Sequence, residues 1–326
     1  MSASVPLSPS LSKSTARRAY RPGMRILLTN DDGIRAPGII AMYDALVDEE
    51  GRFGGPVLDR SPNAVTRSPR SVVFPVAPLT VQSATGHGVT FHQPLLRSDL
   101  QLSERMHGVA VDGRPADCVK VAVANIWPER FGEGERPDLL ISGMNAGANC
   151  GINVIYSGTV AAALEAAFLG VPSIAVSLRL GGGRPRWDIA AGWARRTIDL
   201  LLRDGPPGPH ECLSINLPLC EDEWPGGRKR SKYDAASYSR GNDPGPPMPP
   251  IKVCPMNVHG LVDKYERRVS PAGDVYYWAA GHGLDFRGTD AGSDVEELLN
   301  GAITVTPLTF DLTRRDRMAH WAKVVG

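Results

Sequence analysis

Short apolar runs and stretches of helical spacing alternate along most of the chain. Ile26-Leu27-Leu28 is an apolar run of strand type, closed by Thr29 and Asn30, and Ile39 to Leu46 follows with helical spacing. Val72 to Pro78 is a second strand candidate, although Pro75 is awkward for a central strand. Val89–Phe91 and Val109–Val111 read as extended, and Cys118 to Ile126 as a helix that Asp117 is placed to cap. Residues 137–142 form a buried strand, and Val160 to Leu169 a helix stopped by Gly170. Residues 171–177 form another strand, Ile189 to Leu202 an amphipathic helix, and residues 213–218 a further strand. From Ile251 the pattern is β-like: Tyr276-Tyr277-Trp278 is an aromatic strand, Asp294 to Leu299 a short helix, Ile303–Leu308 a final strand, and the tail is charged. The alternation predicts an α/β fold, a mainly parallel sheet with helices on both faces.

The breaks in this pattern divide the chain. Residues 1–23, rich in Ser and Pro, read as a disordered leader without the apolar core of a secretory signal. Residues 24–220 form the core, with a loop insertion at 51–71. Residues 221–250, rich in Gly, Pro and basic residues, read as a flexible insertion, and 251–326 as a C-terminal β appendage and tail.

Composition removes several function classes. Net charge is +1 over 326 residues, which argues against a nucleic-acid partner, and the GRKRSK run at 227–232 reads as a solvated loop. The five cysteines are odd in number and show no CxxC spacing, so neither structural zinc nor a disulfide framework is indicated, in keeping with a reducing cytoplasm. No run approaches a membrane-spanning length.

Candidate chemistry falls at the strand ends. In RILLTNDDGIRAPG, Asp31 and Asp32 stand directly after the first strand, where open α/β sheets carry their ligands. Adjacent carboxylates repel and are costly to desolvate without a cation, so they read as one wall of a divalent-metal site; turn formation or helix capping is the alternative. A second loop brings Ser83, and a third brings Asn145 and the Ser157-Gly158-Thr159 helix start. Their oxygens suit Mg²⁺ or Mn²⁺, one ion per chain, and a helix N-terminus with two hydroxyls is a phosphate cradle. Each residue has a plainer role available: Ser83 in a turn, Asn145 in a left-handed position, Ser157 as a cap, His87 on the surface. A nicotinamide-dependent enzyme is disfavoured because glycines 143, 147 and 151 do not make GxGxxG. A phosphate- or nucleotide-binding regulator without turnover remains the alternative to an enzyme.

Five segments then point to a family. ILLTNDDGIRAPGI, APLTVQSATGHGVTF, VDGRPADCVKVAV, PDLLISGMNAGANCGINVIYSGTVAAALEAAFLGVPSIAVSL and GTDAGSDVEELLNGAITVTPLTFDLT closely resemble the SurE survival proteins, which are metal-dependent 5′-nucleotidases. The resemblance implies a Rossmann-like core and hydrolysis of nucleoside 5′-monophosphates, with 3′-monophosphates as a further substrate class. It carries the metal ligands to Asp31, Asp32, Ser83 and Asn145; the catalytic candidates are Asp31 and Asp32, either of which could orient the attacking water. It assigns phosphate contact to Ser157, Gly158 and Thr159, alongside Asn145. It also implies a homodimer or homotetramer held by the C-terminal hairpin and tail, with no nucleic-acid or membrane partner.

Overall fold

The computed structural model describes residues 23–57, 71–222, 247–262, 264–280 and 284–326. The leader expected over 1–23 and the insertions expected over 51–71 and 221–250 therefore lie largely outside the described residues.

In chain order the elements are β1 (Arg25–Thr29), α1 (Pro37–Val47), β2 (Val72–Pro78), β3 (Arg97–Gln101), β4 (His107–Val111) and α2 (Pro115–Val121). The last runs through a π-helical turn (Ala122–Ile126) into α3 (Trp127–Phe131). Next come β5 (Leu139–Ala146), α4 (Asn153–Tyr156), α5 (Gly158–Phe168), β6 (Ser173–Leu178), β7 (Arg184–Pro185), α6 (Trp187–Leu201), β8 (Cys212–Leu217) and β9 (Glu221–Asp222). The C-terminal part contains β10 (Ile251–Val253), β11 (Tyr265–Val269), β12 (Val275–Ala279), α7 (Asp294–Leu299), β13 (Ile303–Leu308) and α8 (Arg315–Val325).

Nine strands form one sheet in the order β10-β13-β8-β6-β5-β1-β2-β4-β3. From β8 to β4 every pairing is parallel, while β3 and β13 join antiparallel. The continuous apolar runs follow from burial of both faces. Ile26 and Leu28 enter the core beneath α1 and α6, and Leu27 enters the opposite core with α2 and α5. Ile141 and Leu140, and Val176 and Ala175, divide in the same way. The expected doubly wound α/β architecture is thus observed. Strand order reverses at β1, whose neighbours are β2 and β5, and this opens a crevice above the carboxyl end of β1.

Four local expectations change. Pro75 does lie within a central strand, but the ladder to β4 begins only at Val76, so the residue lacking an N–H precedes it. Val89–Phe91 is not a strand, because the Asp117 carboxylate accepts from both the Thr90 N–H (2.8 Å) and the Thr90 hydroxyl (2.7 Å) and holds this stretch as a loop. The charged tail contains helix α8, none of it buried. From the stretch expected as an appendage, β10 and β13 complete the main sheet, whereas β11 and β12 pair only with each other as a hairpin.

Candidate active site

Asp31 and Asp32 occupy the turn after β1. Asn30 starts it by donating from its side-chain amide to the Gly33 carbonyl (2.8 Å), and the Ile34 N–H closes onto the Pro78 carbonyl (2.8 Å). Asp31 is only 3% exposed. One of its carboxylate oxygens accepts from the Thr159 hydroxyl, and the first turn of α5 packs on it. Gly158 makes that approach possible: a Cβ there would stand 2.8 Å from Asp31 Cβ and 2.9 Å from Asp31 Oδ2. Asp32 accepts from the Ala146 N–H at 2.8 Å, which ties it to the end of β5.

The other two loops arrive at the same place. The Gln82 N–H donates to the Asp31 carbonyl (2.7 Å), which ties the loop to the acid pair one residue before Ser83, itself exposed. The far end of that loop is pinned where the Gly86 N–H donates to the Tyr156 carbonyl (3.1 Å) and His87 Nε2 meets Glu165 Oε2 on α5 (2.8 Å). Asn145 lies at the end of β5, just past a register shift between Ser142 and Asn145. Gly143 permits that shift, with φ +137° and a position where any Cβ would meet the Val176 carbonyl oxygen at 2.2 Å. The Asn145 side-chain Nδ2 donates to the Gly147 carbonyl (2.8 Å), which leaves Oδ1 as its available acceptor.

The helix start differs in detail from a simple cradle. Ser157 Oγ caps α5 by accepting from the Val160 N–H (3.1 Å), and Thr159 is committed to Asp31. The Gly158 N–H and the Ser157 hydroxyl proton remain for an anion. Asp31, Asp32, Asn145 and the Ser157–Thr159 turn are therefore linked directly or through one residue, and Ser83 through its neighbour Gln82.

Electrostatics matches this crowding. Burial pushes the Asp31 carboxyl up to about 6; the Thr159 hydroxyl pulls the other way, and the neighbouring charge of Asp32 adds to the rise. Burial also raises Asp32, against the Ala146 N–H. Among the described residues no three or more His, Cys, Asp or Glu side chains form a metal-binding group, so a cation here rests on two carboxylates, a hydroxyl and an amide oxygen. That all-oxygen set fits a hard divalent ion. Two surface cavities, of about 590 and 400 Å³, line α8 and the α1–α6 groove and lie away from this cluster.

Sequence reading missed the supports of the site. Glu165 on α5, which receives both His87 and the Lys120 ammonium (3.1 Å), fell inside an Ala- and Leu-rich helix. Asn216, an amide inside a mostly apolar strand, was the available signal for a buried polar contact; it bonds to Asn149.

These features define an open, doubly wound α/β protein with an oxygen-rich acidic site at the switch point of its sheet. Residues 26–239 match the family described as Survival protein SurE. The chain is 35% identical over 302 residues to the 5′-nucleotidase SurE of Syntrophobacter fumaroxidans, covering 91% of this chain and 99% of that protein. It is 37% identical over 293 residues to the 5′-nucleotidase SurE of Heliobacterium modesticaldum, covering 89% of this chain and 88% of the relative. The crystal structure of SurE protein from Aquifex aeolicus superposes with a TM-score of 0.66 at 28% identity, over 93% of this chain and all of that one. The chain belongs to the SurE family.

Proposed function

We propose that this chain is a divalent-metal-dependent phosphomonoesterase that hydrolyses nucleoside 5′-monophosphates to nucleoside and phosphate. The observation that carries the reading is the convergence of Asp31, Asp32, the Ser83 loop, Asn145 and the α5 start on one crevice. Every side chain named lies within residues 24–220, which we take as the catalytic core.

Asp31, Asp32, Ser83 and Asn145 would hold the cation, either Mg²⁺ or Mn²⁺. When bound, it supplies a Lewis acid for phosphoryl oxygens and lowers the pKa of water. The chain's own groups do the rest. Thr159 orients Asp31, and the Ala146 N–H orients Asp32, so each carboxylate keeps a fixed direction without rearrangement during reaction. The Gly158 N–H and the Ser157 hydroxyl bind phosphate at the positive end of α5. A carboxylate of the pair takes the proton from attacking water, as the packing of Asp31 against the α5 start allows.

The exposed aromatic residues of β11–β12, Tyr277 and Trp278 among them, together with Trp321 on α8, support association of copies into a dimer or tetramer. The five cysteines are all free and buried, which supports a cytoplasmic setting, and no described helix is long and apolar enough to cross a membrane.

The test is phosphate release from AMP and GMP with Mn²⁺ or Mg²⁺, and again after EDTA. Chelation should abolish release, and Asp32→Asn should lose about a hundredfold or more in turnover while remaining folded. Equal release with and without EDTA, or near-normal turnover in Asp32→Asn, contradicts the proposal.

A further inference from the structure

The segment from Asn145 to Ser157 carries site residues at both ends, and its middle is held by side chains from distant parts of the chain. Asn216 on β8 is fully buried and makes a reciprocal pair with the Asn149 backbone. Its Oδ1 accepts from the Asn149 N–H (2.7 Å), and its Nδ2 donates to the Asn149 carbonyl (3.0 Å). The Asn149 side chain in turn donates to Ser177 Oγ on β6 (2.9 Å). Two residues on, the Gly151 N–H donates to Asp294 Oδ2 (2.9 Å), and the other oxygen of that carboxylate accepts from the Asn257 N–H (2.8 Å). Asp294 is 1% exposed, at the first position of α7.

The apolar side of the loop is closed by the same C-terminal stretch. Cys150, Val295 and Leu298 form a small core of their own, against which Ala148, Leu284 and Phe286 pack. A Cβ at Gly151 would stand 2.8 Å from the Phe286 ring and 3.1 Å from Val295. Among the described residues this core is made of the loop and residues 284–298. Those residues lie beyond 26–239, the part that matches the family model.

We infer that Asn216 and Asp294 are positioning residues that set the Asn145–Ser157 loop, so that residues 284–298 complete the active site from outside the catalytic core. The inference rests on the reading of Asn145 as a metal ligand. Asp294 can accept from the two backbone N–H groups at once because an ionised carboxylate has two acceptor oxygens; an amide has only one. Asp294→Asn therefore loses one of the two bonds, to Gly151 or to Asn257, and loosens the clamp between the loop and the C-terminal stretch while keeping size and shape.

The test uses the full chain and Mn²⁺ alone, titrated by calorimetry, with hydrogen exchange read at the Gly147, Asn149 and Gly151 amides. Asp294→Asn should weaken the Mn²⁺ Kd by about tenfold and speed exchange of these amides by at least about tenfold. In an Asn145→Ala background the same change should add less than about twofold to the Kd, because the two residues act through one geometry. Phe286→Ala removes packing from Gly151 without orphaning a polar group, and should shift both readouts in the same direction by a smaller factor. The inference is overturned by a Kd within about twofold of wild type in both Asp294→Asn and Phe286→Ala, by unchanged exchange at these amides, or by a tenfold loss that persists in the Asn145→Ala background. Wild-type protein that binds no Mn²⁺ overturns the functional reading alone, since exchange still decides whether the bracket exists.

Discussion

Gly158→Ala tests whether α5 sets the position of Asp31. A methyl group at this site would lie 2.8 Å from Asp31 Cβ, 2.9 Å from Asp31 Oδ2 and 3.0 Å from Pro115 Cγ. Carbon contacts are optimal near 3.5–4.0 Å, so the overlap is about 0.5–1 Å on two sides. Overpacking of this kind costs about 1–3 kcal/mol. Alanine returns part of that, up to about 1 kcal/mol in a helix interior and less at the first position. The net loss is then about 1–2 kcal/mol, which for a chain of this size lowers the melting temperature by roughly 1–4 °C. The functional effect should be much larger. Asp31 is the group that must yield, and a displacement approaching 1 Å at a reacting centre costs about a hundredfold in rate. The assay is phosphate release from AMP at saturating Mn²⁺, paired with thermal melting. Gly192→Ala on α6, whose new Cβ would meet only the Phe53 ring at 3.3 Å, serves as the control and should retain full turnover. A Gly158→Ala protein that melts a few degrees lower yet turns over within about twofold of wild type would refute the reasoning, because Asp31 would then not depend on the close approach of α5.

Two further outcomes are expected. The Asp31 carboxyl stands at about 6 in the metal-free fold against an ordinary 3.8, so between those values the folded state holds a proton that the unfolded state has released. Its contribution is complete below pH 3.8 and is lost as pH rises through 6, to a total of about 3 kcal/mol. Urea unfolding of EDTA-treated protein from pH 4 to 7.5 should show that decline, Asp31→Asn should flatten it, and an identical slope in the variant would contradict the assignment. Secondly, His87→Ala releases the Ser83 loop from Glu165, which keeps Lys120; allowing for the half-exposed imidazole, the loss is about 1 kcal/mol. Mn²⁺ affinity should fall roughly fivefold with the fold intact, and unchanged affinity would mean that the loop is fixed elsewhere.

How far the chain could be read depended on where each signal comes from. Ile26–Leu28 was legible because both faces of β1 are covered, which forces a continuous apolar run. The acid pair was legible because it follows that run directly. Asp294–Leu299 and Ile303–Leu308 were read with their observed bounds, helped by a local cap, Ser293 accepting from the Glu296 N–H. β3 was not legible, since RSDLQ is a mostly exposed edge strand with no alternation to betray it. The loop at Val89–Phe91 has strand-like residues, and the distant Asp117 holds it in its looped form. Of the candidate site, the acid pair and the Ser157–Thr159 helix start stood out in the sequence because each directly adjoins a strand or helix end. Of those that hold them, Asn216 left only a polar break in its strand, and Glu165 and Asp294 act across a separation that no local pattern encodes.

The position of β1 between β2 and β5 also sets an order of events at the ribosome. The strand that leads into the acid pair precedes every other strand of the sheet along the chain, yet it lies at the middle of the sheet, and one of its two partners is made only after six other helices and strands. Until β5 and α5 have left the exit tunnel, Asp31 and Asp32 stay in water at the tip of an unfinished strand, unable to grip an ion firmly. Nascent chains arrested before that point should therefore be inert, and the acquisition of metal should come as a late step of biosynthesis rather than an early seed for folding.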